Sequence, residues 1–180
     1  MVIISREDLE DRIRAALSKW RKAIERGIGR VLASSGSRPF FSFFTWVEDP
    51  VESVVRSFIE ATNRLGVSSR YITTFLAGYE LGKRLVKMRM IRSVDDIPYA
   101  FALAGIGLVD IVYESCNKME IDIFECLSCF GSKPTGRTMC SFEAGALRGV
   151  LEELVGKNSV EELKCWGLGD AYCRFRIEFE

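Results

Sequence analysis

The chain has 180 residues, 25 basic and 25 acidic side chains, 48% apolar residues, six cysteines and no histidine. At roughly 100–200 residues per domain, that length specifies one compact unit, able to bury about two-thirds of its unfolded surface without a disulfide framework. The missing histidine excludes Ser-His-Asp and Cys-His nucleophile activation, HExxH zinc hydrolysis and His-ligated haem, and the zero net charge gives no overall nucleic-acid signal.

Any transition metal must therefore be held by cysteine and carboxylate. No apolar run approaches the roughly 18–20 residues that span a bilayer, and the N-terminus turns charged at Arg6-Glu7-Asp8, without the apolar core of a signal peptide. A cytoplasmic location is expected. Glutamine is absent and asparagine occurs only at Asn63, Asn117 and Asn158, a composition that points to a thermophilic source, where intracellular disulfides also occur.

The first half reads as helical. Ser5 with Asp8 resembles a capping box, and Leu9, Ile13, Leu17, Trp20 and Ile24 follow at helical spacing, fading near Gly27 to Gly36. The aromatic stretch Phe40–Trp46 comes next, as a core segment, a subunit contact, a membrane contact or the lining of an apolar cavity. Asp49-Pro50-Val51-Glu52 gives an N-cap, an N1 proline and an N3 glutamate before a stripe of Val51, Val54, Val55, Phe58 and Ile59. Gly66 ends that helix. Ser68 or Ser69 is expected to cap the next, burying Ile72, Phe75, Leu76, Tyr79 and Val86, with Gly78 and Gly82 permitting a close helix approach. Ser93 and Asp96 start a shorter helix through about Ala104.

From Leu108 the period changes to two. Val109, Ile111 and Tyr113 alternate with Asp110 and Glu114, and Ile121 and Ile123 with Glu120 and Asp122, around a Cys116-Asn117-Lys118 turn. After a Gly131–Gly136 loop, which lacks the GK[ST] of a P-loop, Ser141 is expected to cap a helix with Leu147, Val150, Leu151 and Leu154 inward. Gly145 and Gly149 are expected to seat that helix on the sheet. Val160–Leu168 and Ala171–Phe179 flank a Gly169-Asp170 turn. The expected fold class is α+β, a helical N-terminal half packed on a roughly four-stranded antiparallel sheet.

Five of the six cysteines, Cys126, Cys129, Cys140, Cys165 and Cys173, follow the first strand pair, and Cys116 lies in its turn. Cys140-Ser141-Phe142-Glu143-Ala144-Gly145, Gly149, Glu162-Leu163-Lys164-Cys165, Gly169-Asp170 and Cys173-Arg174-Phe175 resemble the 4-vinyl reductase (4VR) domain family. The resemblance covers about residues 68–180, best over the last forty, and leaves 1–67 as a helical N-terminal region. It implies a fold similar to subunits of the TRAPP tethering complex and the binding of a small hydrophobic or aromatic molecule. It further implies a structural zinc held by Cys140, Glu162, Cys165 and Cys173.

Three thiolates and one carboxylate suit a closed tetrahedral zinc with no position left for water. For Cys165 and Cys173 to face each other, the turn must centre on Gly169, giving a three-residue Leu168-Gly169-Asp170 loop with a positive φ at glycine or aspartate. Strand parity then puts Leu163, Cys165, Cys173 and Phe175 on the core side. Glu162 falls on the other parity and can ligate only from a bulge or the strand's start; Glu161 has the better parity but the wrong family spacing. A rival all-thiolate site uses Cys126 and Cys129 with Cys140 and Cys165, provided a turn reunites the CxxC pair. Disulfides and plain buried thiols are the remaining readings.

Residues 1–38 carry nine basic and five acidic side chains, a local +4 that reads as a solvated helix face or as a contact to an anionic surface. Candidate ligand-binding residues are Phe75, Tyr79, Tyr99, Phe101 and Trp166, each equally explained by core packing. No catalytic assembly or redox-cofactor motif is visible, so the expectation is a non-enzymatic binding module with a structural zinc, acting as a homodimer or through a separate regulatory protein. The alternative is a TRAPP-like dimeric scaffold without a small-molecule ligand.

Overall fold

Ser5 starts the first helix as expected: its hydroxyl oxygen accepts from the Asp8 N–H at 3.1 Å, satisfying one of the free donors of the first turn. This is helix α1, Arg6–Glu25, in a computed structural model that describes residues 5–31, 38–41, 57–59, 61–62 and 64–180. Leu9, Ile13, Leu17, Trp20 and Ala23 form its buried stripe. The helix start expected at Asp49–Glu52 and the residues Ser42 to Trp46 lie outside the described residues. Of that second helix, residues 57–59 are helical; Phe58 is exposed and Ile59 packs partly on the core.

Helix α2 spans Val67–Lys87 and starts on Gly66 with no side-chain cap, rather than on Ser68 or Ser69. Its buried face also differs from the expected apolar stripe. Ile72 and Leu76 are 56% and 53% exposed, whereas Thr74, Gly78, Gly82 and Leu85 are buried. The reason is the partner helix α4, Ser141–Leu154, which approaches so closely that only the smallest side chains fit between the backbones. A Cβ on Gly78 would lie 1.9 Å from the Phe142 carbonyl oxygen, and one on Gly145 would lie 2.0 Å from that of Phe75. Gly145 and Gly149 thus seat α4 against α2, not against the sheet.

The Ser93–Asp96 capping box forms as expected, leading through a 3₁₀ turn, Val94–Asp96, into helix α3, Ile97–Leu103. Strands β1 (Leu108–Glu114), β2 (Lys118–Phe124), β3 (Asn158–Lys164) and β4 (Cys173–Phe179) make one antiparallel sheet in the order β1-β2-β4-β3. The architecture is the expected α+β.

One face of the sheet is apolar. The cross-strand pairs Met119↔Ile177, Ile121↔Phe175 and Ile123↔Cys173 share the main core with Ala144, Leu147, Val150 and Leu151 of α4. The alternate positions are ionic: Arg174 makes a two-pronged bond to Asp122 at 2.6 and 2.8 Å, and Arg176 donates to Glu120 at 3.2 Å. Arg21 of α1 reaches Asp110 at 2.9 Å, so each of the opposed carboxylates Asp110 and Asp122 has its own guanidinium.

The end of β2 anchors the N-terminal segment. Glu125, buried and at φ 51°, accepts from Trp20 Nε1 at 2.9 Å and from the Phe40 N–H at 2.8 Å. Arg38 donates to the Glu125 carbonyl at 2.7 Å. Burial pushes the Glu125 carboxyl above its ordinary 4.5, opposed by those donors and by the charge of Arg38. The folded state thus holds this proton more tightly than the unfolded chain does. Its contribution to stability is complete below about pH 4.5 and declines as pH rises through the raised folded value. Glu125→Gln cannot ionise there, so urea unfolding of that variant should give a flatter stability–pH curve across this window than the wild type. An unchanged slope contradicts the assignment.

Candidate metal centre

Four separate elements converge on one buried point. After β2 the chain turns at Glu125, and the Phe130 N–H bonds back to the Cys126 carbonyl at 3.0 Å, forming a single helical turn. That turn reunites Cys126 and Cys129, which a continuing strand would have pointed apart. Cys140 is the N-cap residue of α4, and Cys173 opens β4 opposite Ile123. Cys165 follows β3 and caps a 3₁₀ turn, Trp166–Leu168.

The connection between the last two strands is longer than the expected three-residue loop. It consists of that 3₁₀ turn and Gly169 at φ 107°, and the Asp170 carboxylate accepts from the Cys165 N–H at 3.0 Å. Glycine does take the positive φ. The β3–β4 register shifts between Glu162 and Lys164, and Glu162 pairs with Phe175. The bulge supplies the parity change that Glu162 needs; Leu163, expected on the core side, is only partly buried.

Five sulfurs are therefore packed together. Sγ separations are 3.3 Å for Cys126–Cys140, 3.2 Å for Cys129–Cys173, 3.4 Å for Cys140–Cys173 and 3.7 Å for Cys140–Cys165. Two sets of four have ligand atoms mutually within 4.8 Å: Cys126, Cys129, Cys140 and Cys173, and Cys140, Glu162, Cys165 and Cys173. The first differs from the rival set read from the sequence, which used Cys165; Cys173 takes that place because β4 begins beside the CxxC turn. Cys116 is exposed in the β1–β2 turn.

The donor set fits a thiophilic cation. A zinc–sulfur bond of about 2.3 Å sets sulfur–sulfur edges of about 3.8 Å in a tetrahedron, within a few tenths of an ångström of most of these separations. All six cysteines are free thiols. Glu162 uses one oxygen to accept from the Cys140 N–H at 3.1 Å, and its other oxygen is buried without a partner among the described residues. Burial and the neighbouring Cys165 push this carboxyl up to about 9. The thiols of Cys129, Cys140 and Cys173 hold Cys165 far below the usual thiol range, while burial pushes Cys140 and Cys173 up. Such a crowd of acidic groups, out of water, is neutralised either by protons or by a metal.

Glu143 belongs to the sequence motif, but nothing in the sequence reading gives it a role. It is wholly buried in the first turn of α4, and its Oε1 accepts from the Ser128 N–H at 2.8 Å inside the CxxC turn. Its position three residues after Cys140, on the same side of the helix, is the available signal.

The five aromatic candidates are distributed over the fold. Phe101 and Trp166 are fully buried in the main core, and Trp166 packs on Phe130 with ring centroids 5.0 Å apart. Phe75 stacks on Tyr71, and the Tyr79 hydroxyl donates to Glu152 at 2.7 Å. Tyr99 lines an open groove of about 410 Å³ between α1, α3 and β1, together with Ile13, Leu17, Pro98, Val109 and Ile111. Charged Arg6, Glu10, Arg14, Asp95 and Asp110 complete its lining. No helix among the described residues is long and apolar enough to cross a membrane.

Residues 119–179, which include Cys126, Cys129, Cys140, Glu162, Cys165 and Cys173, match the model of the vinyl-4-reductase (4VR) domain. Uncharacterized protein MJ1642 of Methanocaldococcus jannaschii is 33% identical over 100 residues, 55% of this chain and 61% of that protein. The chain thus spans about three-fifths of the length of this relative. The phenol-responsive sensory domain of the transcription activator PoxR, solved with phenol, superposes with a TM-score of 0.61 at 18% identity, covering 73% of this chain and 75% of that one. A vinyl-4-reductase family protein from Methanocaldococcus jannaschii superposes with a TM-score of 0.52 at 17% identity, covering 82% of this chain and 91% of that one. At such identities the two structures show a shared fold.

Proposed function

Because the chain carries a vinyl-4-reductase domain, we propose that it is a non-enzymatic binding module for a small hydrophobic or aromatic molecule, stabilised by a structural zinc. The observation that carries this reading is the convergence of Cys140, Glu162, Cys165 and Cys173, from three elements, on one buried point of that domain. Bound there, zinc supplies a cross-link between α4 and the β3–β4 hairpin, and a closed set of four ligands leaves no position for a reacting water. The phenol-responsive sensory domain with the same fold supports an aromatic ligand.

We assign the ligand site to the Tyr99 groove, whose apolar walls and volume suit a small molecule. Tyr99 lines this groove directly, and Phe75, Phe101 and Trp166 pack in or against the main core. Binding there bridges α1 to the sheet, and a second copy of the chain or a separate regulatory protein reads the occupancy. Native mass spectrometry of protein purified without added ligand tests this. A retained small apolar molecule is expected, lost in Tyr99→Ala while the fold is kept. A bare oligomer that also fails to bind an added phenol or alkylbenzene series contradicts the reading and favours a scaffold.

A further inference from the structure

Building on the metal reading above, we propose that the centre is binuclear: two divalent cations of the zinc class share Cys140 and Cys173 as bridging thiolates. Cys126 and Cys129 complete the first tetrahedron, and Glu162 and Cys165 complete the second. The two sets of four ligand atoms found in the structure have Cys140 and Cys173 in common, which is the arrangement of two tetrahedra joined along an edge. Together they offer six donors, two more than a single tetrahedral ion uses.

A single ion in either set strands the other pair. With the ion in the set that includes Glu162, Cys126 and Cys129 stay buried beside an anionic site, with Cys126 Sγ only 3.3 Å from Cys140 Sγ. In the all-thiolate set, Cys165 and the unpartnered Glu162 oxygen stay buried without the cation that would neutralise them. A second divalent ion removes both problems, because its two positive charges cancel the two ligands it adds. Net buried charge is then the same as for one zinc with four thiolates. The shared edge, Cys140–Cys173, is 3.4 Å, and the other close sulfur pairs each fall within one of the two tetrahedra.

Plasma mass spectrometry of the full chain, with ¹¹³Cd NMR after cadmium exchange, tests this. Two metals per chain are expected, with two cadmium resonances split by coupling through the shared sulfurs. Cys126→Ser with Cys129→Ser should halve the content to one per chain and collapse the spectrum to one unsplit line. One metal per chain in the wild type overturns the binuclear centre and leaves the single zinc standing; none overturns both. Iron with acid-labile sulfide, or a double variant that still holds two metals, also overturns it. If the double variant does not fold, the wild-type cadmium spectrum decides alone: two uncoupled lines or a single line contradict bridging.

Discussion

Cys140→Ser should strip the protein of its bound metal and cost it more stability than any other single thiol replacement. Cys140 belongs to both ligand sets and is in close contact with three other sulfurs, so no alternative donor group survives its loss. Its backbone also joins the site to the start of α4 through the Glu162 carboxylate. A ligand present at a thousand times its Kd stabilises the folded state by about 4 kcal/mol. At about 2–4 °C per kcal/mol for a chain of this size, the melting temperature should fall by about 8–16 °C. A chelator strong enough to remove the metal should lower the wild type to a similar value and leave the variant unmoved. Cys116→Ser, at an exposed turn, should melt with the wild type. Equal melting of Cys140→Ser and wild type, with and without chelator, contradicts the metal as a stabilising element.

Gly145→Ala should be the second large effect, against the usual direction of helix propensity. Alanine in a helix interior is favoured over glycine by about 1 kcal/mol. Here the added Cβ would lie 2.0 Å from the Phe75 carbonyl oxygen and 2.9 Å from the Tyr79 nitrogen. Those are backbone atoms of a packed helix, so relief requires α2 and α4 to move apart along their whole contact. Overpacking commonly costs about 1–3 kcal/mol, and a backbone-to-backbone clash belongs at the upper end or beyond. A net loss of about 3 kcal/mol in urea unfolding is expected. Gly66→Ala is the control, since a Cβ there meets nothing within 4 Å. A Gly145→Ala protein as stable as the wild type would show that the helices are not held at this distance.

Both sites mark the boundary of what the chain reveals on its own. The Ser93–Asp96 capping box, the α1 stripe and the alternation of β1 and β2 are local signals, and each produces the element it specifies. The buried face of α2 is different, because periodicity favours the bulky stripe while the approach of α4 selects the glycine stripe. That selection depends on a distant partner, whose Ser141 meets Thr74 across 67 residues of sequence, and has no trace in the α2 segment taken alone. Gly145 and Gly149 are legible as contact residues, but for the same reason the sequence points them at the sheet instead of at α2.

The metal centre is legible in part. The similarity of Cys140, Glu162, Cys165 and Cys173 to a family pattern names a set that the fold does bring together. The bulge that rescues Glu162 follows as a necessity from parity, but its position depends on the β3–β4 register, which only the folded hairpin fixes. The turn that folds Cys126 and Cys129 back into the cluster begins at Glu125, whose positive φ is imposed by its bonds to Trp20 and Phe40. Those contacts lie 105 and 85 residues away in sequence.

X-ray absorption at the metal edge, on protein purified without chelator, tests the central claim most directly. A sulfur-dominated first shell at about 2.3 Å with a minor oxygen contribution is expected, because thiolates outnumber the carboxylate among the converging donors. A shell of nitrogen or oxygen alone, or protein with no bound metal whose five buried thiols titrate freely, would contradict it.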